Sequence, residues 1–368
     1  MDRCRTLALL LPQSFGYVRR IAAGAARRLA EEPHWTYRFV EEAECPGLLA
    51  RGVRFDGVVG YVSTPRRLRD FSRLGRRLVN VSNSRRIAFG VNEVVSDDLA
   101  VGRLAAGHLL NLGFRTLHLL RLGGGRFAQL RAAGFRQAAE EAGGRVEEAG
   151  PQGTAARLRW LRGIGKPAAV FAVNDATASL LARDCARIGI RIPGEVAMLG
   201  VDNDSYYVHA GGTPLSSVEL DGMRIGELAV EWILGPDRMP RQPTTRLVPP
   251  VGVVARASTD TLHADDPRLA RALLAIRERL ATGTTLCEIA VRAGLSLRTF
   301  HRLMEKHLGL GPAEFQARLR IEMATRLLCQ TGLPLEQIAE RCGFENPVRL
   351  WRTFKRLTGR TPGSFRKA

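Results

Sequence analysis

Leu286-Cys-Glu-Ile-Ala-Val-Arg-Ala-Gly-Leu-Ser296 and Leu335-Glu-Gln-Ile-Ala-Glu-Arg-Cys-Gly-Phe-Glu-Asn346 are two copies of one pattern. Ile289, Ala290, Gly294 and Leu295 recur 49 residues on as Ile338, Ala339, Gly343 and Phe344. Each copy reads as a short helix, a glycine turn and a second helix, the sequence form of a helix-turn-helix. In the first, Leu286, Ile289 and Ala290 share an apolar face, and Gly294 supplies a left-handed turn that a side chain would resist. Ser296 caps the following helix, where Phe300, Leu303 and Met304 point inward. In the second, Asn346 caps and Pro347 takes the first helical position, where its missing N–H costs nothing. Leu350, Phe354 and Leu357 face inward there.

The outward faces are basic. Arg298, His301 and Arg302 lie on one second helix, and Arg349, Arg352, Lys355 and Arg356 on the other. Arginine can pair in bidentate fashion with guanine O6 and N7 in the major groove, while its neighbours hold phosphates. A small helical bundle with a solvated basic face is the bland alternative, and the tandem repeat argues against it. The intervening helix over residues 312–330 spans roughly 28 Å at 1.5 Å per residue, against about 34 Å for a DNA turn. Double-stranded DNA, read at two adjacent major-groove segments, is the partner this implies.

Charge distribution agrees. The 368 residues carry a net charge of +19. Residues 261–368 hold 19 Lys and Arg against 10 Asp and Glu, and the last 28 residues hold eight against one. Basic excess is a statement about partners, nucleic acid foremost.

Upstream the character changes. Apolar runs at residues 6–11, 57–62, 77–81, 116–120, 168–173 and 196–201 read as buried strands, and helical periods fall at 18–30, 99–112, 127–142, 176–188 and 223–234. This is the rhythm of a doubly wound parallel α/β protein, long enough for two lobes. Residues 241–266, with three prolines, read as a last strand followed by a linker. The expected division is a sensing domain over 1–260, a linker over 261–266 and a DNA-binding domain over 267–368.

Several function classes find no support in the sequence. No run of about 18 apolar residues occurs, so no membrane partner is expected. The opening apolar run is too short for a secretory signal and lacks a small-residue cleavage site, so a cytoplasmic protein is expected. The six cysteines (Cys4, Cys45, Cys185, Cys287, Cys329 and Cys342) are scattered without a C-x-x-C pair, which argues against metal sites and disulfides. There is no P-loop, G-x-S-x-G elbow or H-E-x-x-H, and His34, His108, His118 and His209 are isolated. Neither an enzyme nor a cofactor is expected.

Residues 267–368 resemble the DNA-binding domain of the AraC/XylS family of bacterial transcription regulators. The carrying segments are IAVRAGLSLRTFHRLMEKHLGLGPAEFQARLRIEMA and IAERCGFENPVRLWRTFKRLTGRTPGSFR. The resemblance implies base reading by Arg298, His301 and Arg302, then by Pro347, Val348 and Arg352. Pro347 and Val348 depart from the polar residues often found there, leaving apolar contact with thymine methyls.

A second resemblance covers the larger domain. Val95-Ser-Asp-Asp-Leu-Ala-Val-Gly-Arg-Leu-Ala-Ala-Gly-His, Arg131-Ala-Ala-Gly-Phe, Val170-Phe-Ala-Val-Asn-Asp and Gly189-Ile-Arg-Ile-Pro-Gly-Glu-Val-Ala-Met-Leu-Gly-Val-Asp-Asn resemble the sugar-binding core of LacI/GalR regulators. That core is similar to periplasmic binding proteins, with two Rossmann-like lobes and a ligand cleft between them. It implies ligand contacts from Arg131, Asn174 and Asp202, with Asp97 and Asp175 candidates for which helix capping is the competing role. Ser14, Phe15 and Tyr17 fall in the first strand-to-helix loop and could line the cleft.

The combined expectation is a homodimeric transcription activator, with RNA polymerase as a candidate partner, that responds to a sugar such as xylose or a related pentose. A regulator of another ligand, an α/β enzyme fused to a DNA anchor and a constitutive DNA binder with a degenerate cleft are the alternatives. Sugar turnover would mark the enzyme, and failure to bind any small molecule the constitutive binder.

Overall fold

The computed structural model describes residues 4–84, 91–235, 243–264, 266–281, 284–359 and 361–365. Asp265 of the expected linker lies outside them. The first lobe opens with β1 (Arg5–Leu10), α1 (Gly16–Leu29), β2 (Trp35–Phe39), α2 (Cys45–Ala50), β3 (Gly57–Gly60), α3 (Pro65–Leu74), β4 (Leu78–Asn80) and β5 (Asn92–Ser96). The chain then crosses to the second lobe. There it builds α4 (Asp98–Asn111), β6 (Thr116–Leu120), α5 (Arg126–Glu141), β7 (Arg145–Ala149), α6 (Gly153–Gly163), β8 (Ala168–Ala172), α7 (Asp175–Arg187), β9 (Val196–Val201), α8 (Ser205–Val208) and β10 (Ser216–Glu219). It returns for α9 (Gly222–Leu234) and β11 (Thr245–Val248), and crosses again to β12 (Gly252–Val254).

The two sheets run β11-β5-β4-β3-β1-β2 and β12-β10-β9-β8-β6-β7. Pairing is parallel except between β10 and β12. Each sheet is covered on both faces, which is why β1, β3, β8 and β9 read as continuous apolar runs. Strands with no such run in the sequence have physical reasons for lacking one. β2 and β7 are sheet edges with exposed side chains, and β5 and β10 bury Asn92, Glu93, Ser216 and Ser217. Two strands, β11 and β12, stand where one last strand was expected, and each returns to a different lobe.

Paired helices close each lobe. A Cβ at Gly102 would meet the Arg131 carbonyl oxygen at 2.0 Å, so only glycine lets α4 and α5 cross this tightly. The described cysteines Cys4, Cys45, Cys185, Cys287 and Cys342 are free thiols.

After a short helical turn at Ala257–Thr259, α10 (Pro267–Glu278) begins the helical region, capped by Asp266. Then follow α11 (Leu286–Arg292), α12 (Leu297–Leu308), α13 (Pro312–Gln330), α14 (Leu335–Arg341) and α15 (Pro347–Thr358). Two separate cores result. Ile289, Phe300, Met304 and Phe315 centre one, and Ile338, Leu350 and Phe354 the other. No helix among the described residues is long and apolar enough to cross a membrane.

Candidate ligand cleft and nucleic-acid interface

Asp98 is the first residue of α4, immediately after the first crossing between lobes, and is 1% exposed. One carboxylate oxygen accepts from Arg131 Nε at 2.7 Å, and the other from Asn83 Nδ2 and Ser96 Oγ. Asp98 is thereby fully used in holding Arg131. Arg131, 3% exposed on α5, also donates through Nη1 to the Val173 carbonyl at 2.7 Å. Its two terminal nitrogens stand 3.4 Å from Asp202 Oδ1, and its guanidinium lies 5.0 Å from the Phe127 ring centroid.

Asp202 has φ 104° and Asn203 φ 46°, both in the left-handed half of the map. Bonds from the Asn203 N–H to Ser217 Oγ and from Arg256 Nη2 to Asn203 Oδ1 hold this turn. Such conformations persist only where surroundings over-determine them, and they cluster at ligand sites. Burial and the charge of Asp98 push the Asp202 carboxyl up, against the pull of Arg131 and Arg20, to about 6. Tyr17 packs against the cores of both lobes, and its hydroxyl is driven upward by burial and by Asp98 while bonded to Ser96.

The remaining expected residues divide. Asn174 caps α7 by accepting from the Thr177 N–H, which leaves its amide NH2 uncommitted among the described residues. Asp97 caps α4 by accepting from the Ala100 N–H. Asp175 is fully buried behind the site, accepting from Ser217 Oγ at 2.7 Å and the Asp204 N–H at 2.9 Å, and is not presented to the cleft. Burial and Asp202 hold its carboxyl well above the usual carboxylate range. Ser14 and Phe15 are exposed, so of the three loop residues only Tyr17 joins the cluster.

Sequence reasoning missed Asp98, Asn83 and Phe127. The Asp97-Asp98 doublet was the available signal. Here the first carboxylate caps the helix and the second turns into the fold.

Direct bonds clasp the lobes on either side of this cluster. The N–H groups of Arg126 and Phe127, unpaired within α5, donate to the Ser84 and Asn83 carbonyls, and the Gly16 N–H donates to Asp204 Oδ2 at 2.8 Å. From Asp204 a bonded line leads away from the cleft, through Asp175 to Ser217 on β10. The adjacent Ser216 meets Thr259 at 2.6 Å, Thr259 meets His108 Nε2 at 3.1 Å, and His108 Nδ1 meets Glu322 of α13 at 3.1 Å. A polar network thus joins the lobe closure to the helix that links the two helix-turn-helix units.

In those units, Gly294 and Gly343 have φ of 77° and 73°. A Cβ at Gly343 would also meet the Leu280 carbonyl oxygen at 2.1 Å. Arg298, His301 and Arg302 are exposed on α12, and Val348, Arg349, Arg352, Lys355 and Arg356 on α15, with Pro347 half-buried at its start. Arg298, Arg302 and Arg352 have no acidic partner among the described residues, whereas Arg349 pairs with Glu345 and Arg356 with Glu314 at 3.0 Å. Lys355 lies 5.2 Å over the ring of Trp351, a residue the sequence reading had not singled out.

Comparison with known proteins gives both parts a name. Residues 106–259 match the periplasmic binding protein-like domain family and residues 289–368 a helix-turn-helix domain family. The xylose operon regulatory protein of Escherichia coli strain K12 is 27% identical over 210 residues, 56% of this chain and 53% of that protein. The chain thus matches about half the length of this relative. The HTH-type transcriptional regulator GlxA of Rhizobium meliloti is 37% identical over 100 residues, 26% of this chain and 31% of that one. Among solved structures, the xylose-binding transcription activator xylR is similar over 99% of this chain and 98% of its own, with TM-score 0.62 and 24% identity. A LacI family regulator from Enterococcus faecium with bound ribose covers 70% of this chain and all of its own, with TM-score 0.56 and 20% identity. These structural likenesses show the fold.

Proposed function

We propose that this chain, which joins a periplasmic-binding-protein-like domain to an AraC-type helix-turn-helix domain, is a sugar-responsive DNA-binding transcription regulator. One observation carries the reading: a buried arginine, fixed by Asp98, is aimed at Asp202 where the two lobes meet. Arg131 retains weakly used N–H groups, Asp202 retains its second oxygen, and Asn174 retains its amide. Together they offer donors and acceptors at spacings suited to vicinal hydroxyls, with the Phe127 ring alongside. Acidic groups balance Arg131 on both sides, which favours a neutral sugar over a phosphorylated one.

Xylose is the leading effector, supported by the names of the curated relatives and of the full-length structural neighbour. Asp97 and Asp175 act as cap and floor rather than as ligand contacts. The regulator works as a homodimer in the cytoplasm, activating transcription and contacting RNA polymerase. It performs no chemistry on its sugar. Closure of the lobes on the sugar shifts the docking of α13 through the His108–Glu322 contact. A ligand acts in this way only through its differential affinity for the two arrangements.

The test is a thermal-shift panel of pentoses, hexoses and sugar acids, followed by calorimetry. At 100 times its dissociation constant a ligand adds about 2.7 kcal/mol to stability. Xylose or a close pentose should raise the melting temperature of the wild type and not of Arg131→Ala. A panel without any responding sugar overturns the reading.

A further inference from the structure

A cavity of about 1120 Å³ lies between the second lobe and the first helix-turn-helix unit, outside the inter-lobe cleft. Arg115, His118 and Glu147 line it from the lobe; His263, Lys306 and His307 line it from the linker and α12. The acidic groups on its wall are already engaged. Glu147 pairs with Arg145 at 2.5 Å, and Asp266 pairs with Arg268 at 2.8 Å. Arg115 and Lys306 have no carboxylate partner among the described residues, so the wall carries uncompensated positive charge.

Two polar atoms of this wall are buried without any hydrogen-bond partner, Arg115 Nη2 and His118 Nδ1. His118 is 5% exposed, and the nearest carboxylate oxygen, on Glu147, is 3.6 Å away. Native proteins seldom leave buried polar atoms unpaired, and these two belong to side chains that line the cavity. Burial holds the His118 imidazole below its ordinary value, so it enters as a neutral ring that donates one N–H. Phe114 stacks on His263 at 5.3 Å and gives the cavity an aromatic base.

The position has a consequence for DNA binding. Arg115 Nε donates to the carbonyl of His307, and His307 Nε2 contacts the His263 carbonyl at 3.0 Å. Arg115 therefore ties the sensor directly to the helix that carries Arg298, His301 and Arg302. We infer that this cavity is a second effector site, taking a small polyanion such as a phosphorylated or polycarboxylated metabolite on Arg115, Lys306 and His118, and that its occupant resets the docking of α12 against the sensor. Arg115 Nε and Nη1 are held by the His307 and Ala142 carbonyls, which leaves Nη2 for the anion, and Lys306 adds a point charge from α12.

The test is calorimetric titration of the full, DNA-free chain at constant ionic strength, with inorganic pyrophosphate in one arm and citrate in the other. Saturable one-to-one binding of at least one anion is expected. It should weaken tenfold or more in Lys306→Gln and in Arg115→Gln, and stay unchanged in Arg51→Gln, which removes an exposed charge in the first lobe. Stronger binding in the pyrophosphate arm assigns a phosphate ester, and in the citrate arm a polycarboxylate. Lys306 is exposed, so its variant remains informative if Arg115→Gln fails to fold. Absence of saturable binding, undiminished binding in Lys306→Gln, or equal loss in Arg51→Gln would each overturn the site. Xylose titrated into the same samples reports on the inter-lobe cleft separately.

Discussion

Asp98 and Arg131 form a pair so deeply buried that removing either partner strands the other. Breaking a buried ion pair from one side typically costs about 3–5 kcal/mol. Asp98→Asn should therefore lower stability by about 3 kcal/mol in urea unfolding and weaken sugar binding indirectly, because Arg131 loses its anchor. Asp202→Ala should abolish sugar binding in calorimetry with little loss of ligand-free DNA affinity. Its pH signature is specific. A carboxyl held near 6 in the folded chain and near 3.8 when unfolded keeps its proton longer in the fold. Folding is then favoured by this group below about pH 4, and that contribution is lost as pH rises through 6. Asp202→Asn should remove this fall, on the order of 2 kcal/mol between pH 4 and 7, in unfolding curves compared with wild type. Arg131 and Asp202 were legible in the sequence because their segments carry a recognisable pattern. Asp98 was not, because a doublet at a helix start does not say which carboxylate caps.

At the scale of elements, the two recognition helices carry different chemistry. Arg302→Ala on α12 and Arg352→Ala on α15 should each cost about 1–3 kcal/mol and relax preference at one base pair, in different half-sites, when bound DNA is selected base by base. Lys355→Ala should weaken all sequences about equally and lower the salt slope by about one. Relaxation at the same base pair in both arginine variants would contradict two independent readers. Gly343 holds α14 and α15 in their turn, and Gly343→Ala forces a Cβ onto the Leu280 carbonyl as well as a strained φ. It should impair the second unit while leaving the Arg302 base pair readable. The helix pairs were legible because caps, glycines and apolar periods all agree over Leu286–Arg292 and Leu335–Arg341. Edge strands β2 and β7 were not, since an edge need bury only part of its surface. Neither was β5, whose buried Asn92 and Glu93 break the apolar run that marks a covered strand.

The whole molecule joins a cleft to a reader through three inter-lobe crossings and one bonded line ending at Glu322. If about six phosphates are neutralised, log K for DNA should fall with log salt at a slope near −5. Binding flat across moderate salt would remove the role given to the basic tail. Glu322→Gln should leave sugar affinity and DNA affinity each nearly intact when measured alone, and reduce the factor by which one changes the other. The organisation into two lobes and a helical tail was legible from the change of periodicity near Pro267. The contact between the tail and the sensor was not, because His108 and Glu322 are 214 positions apart and neither belongs to a motif. The most direct measurement is the affinity of the full chain for its selected duplex at fixed salt, with and without saturating xylose. A tightening of about tenfold or more is expected, a coupling of ~1.4 kcal/mol. An affinity unchanged by xylose that calorimetry finds bound would contradict a sugar-responsive regulator.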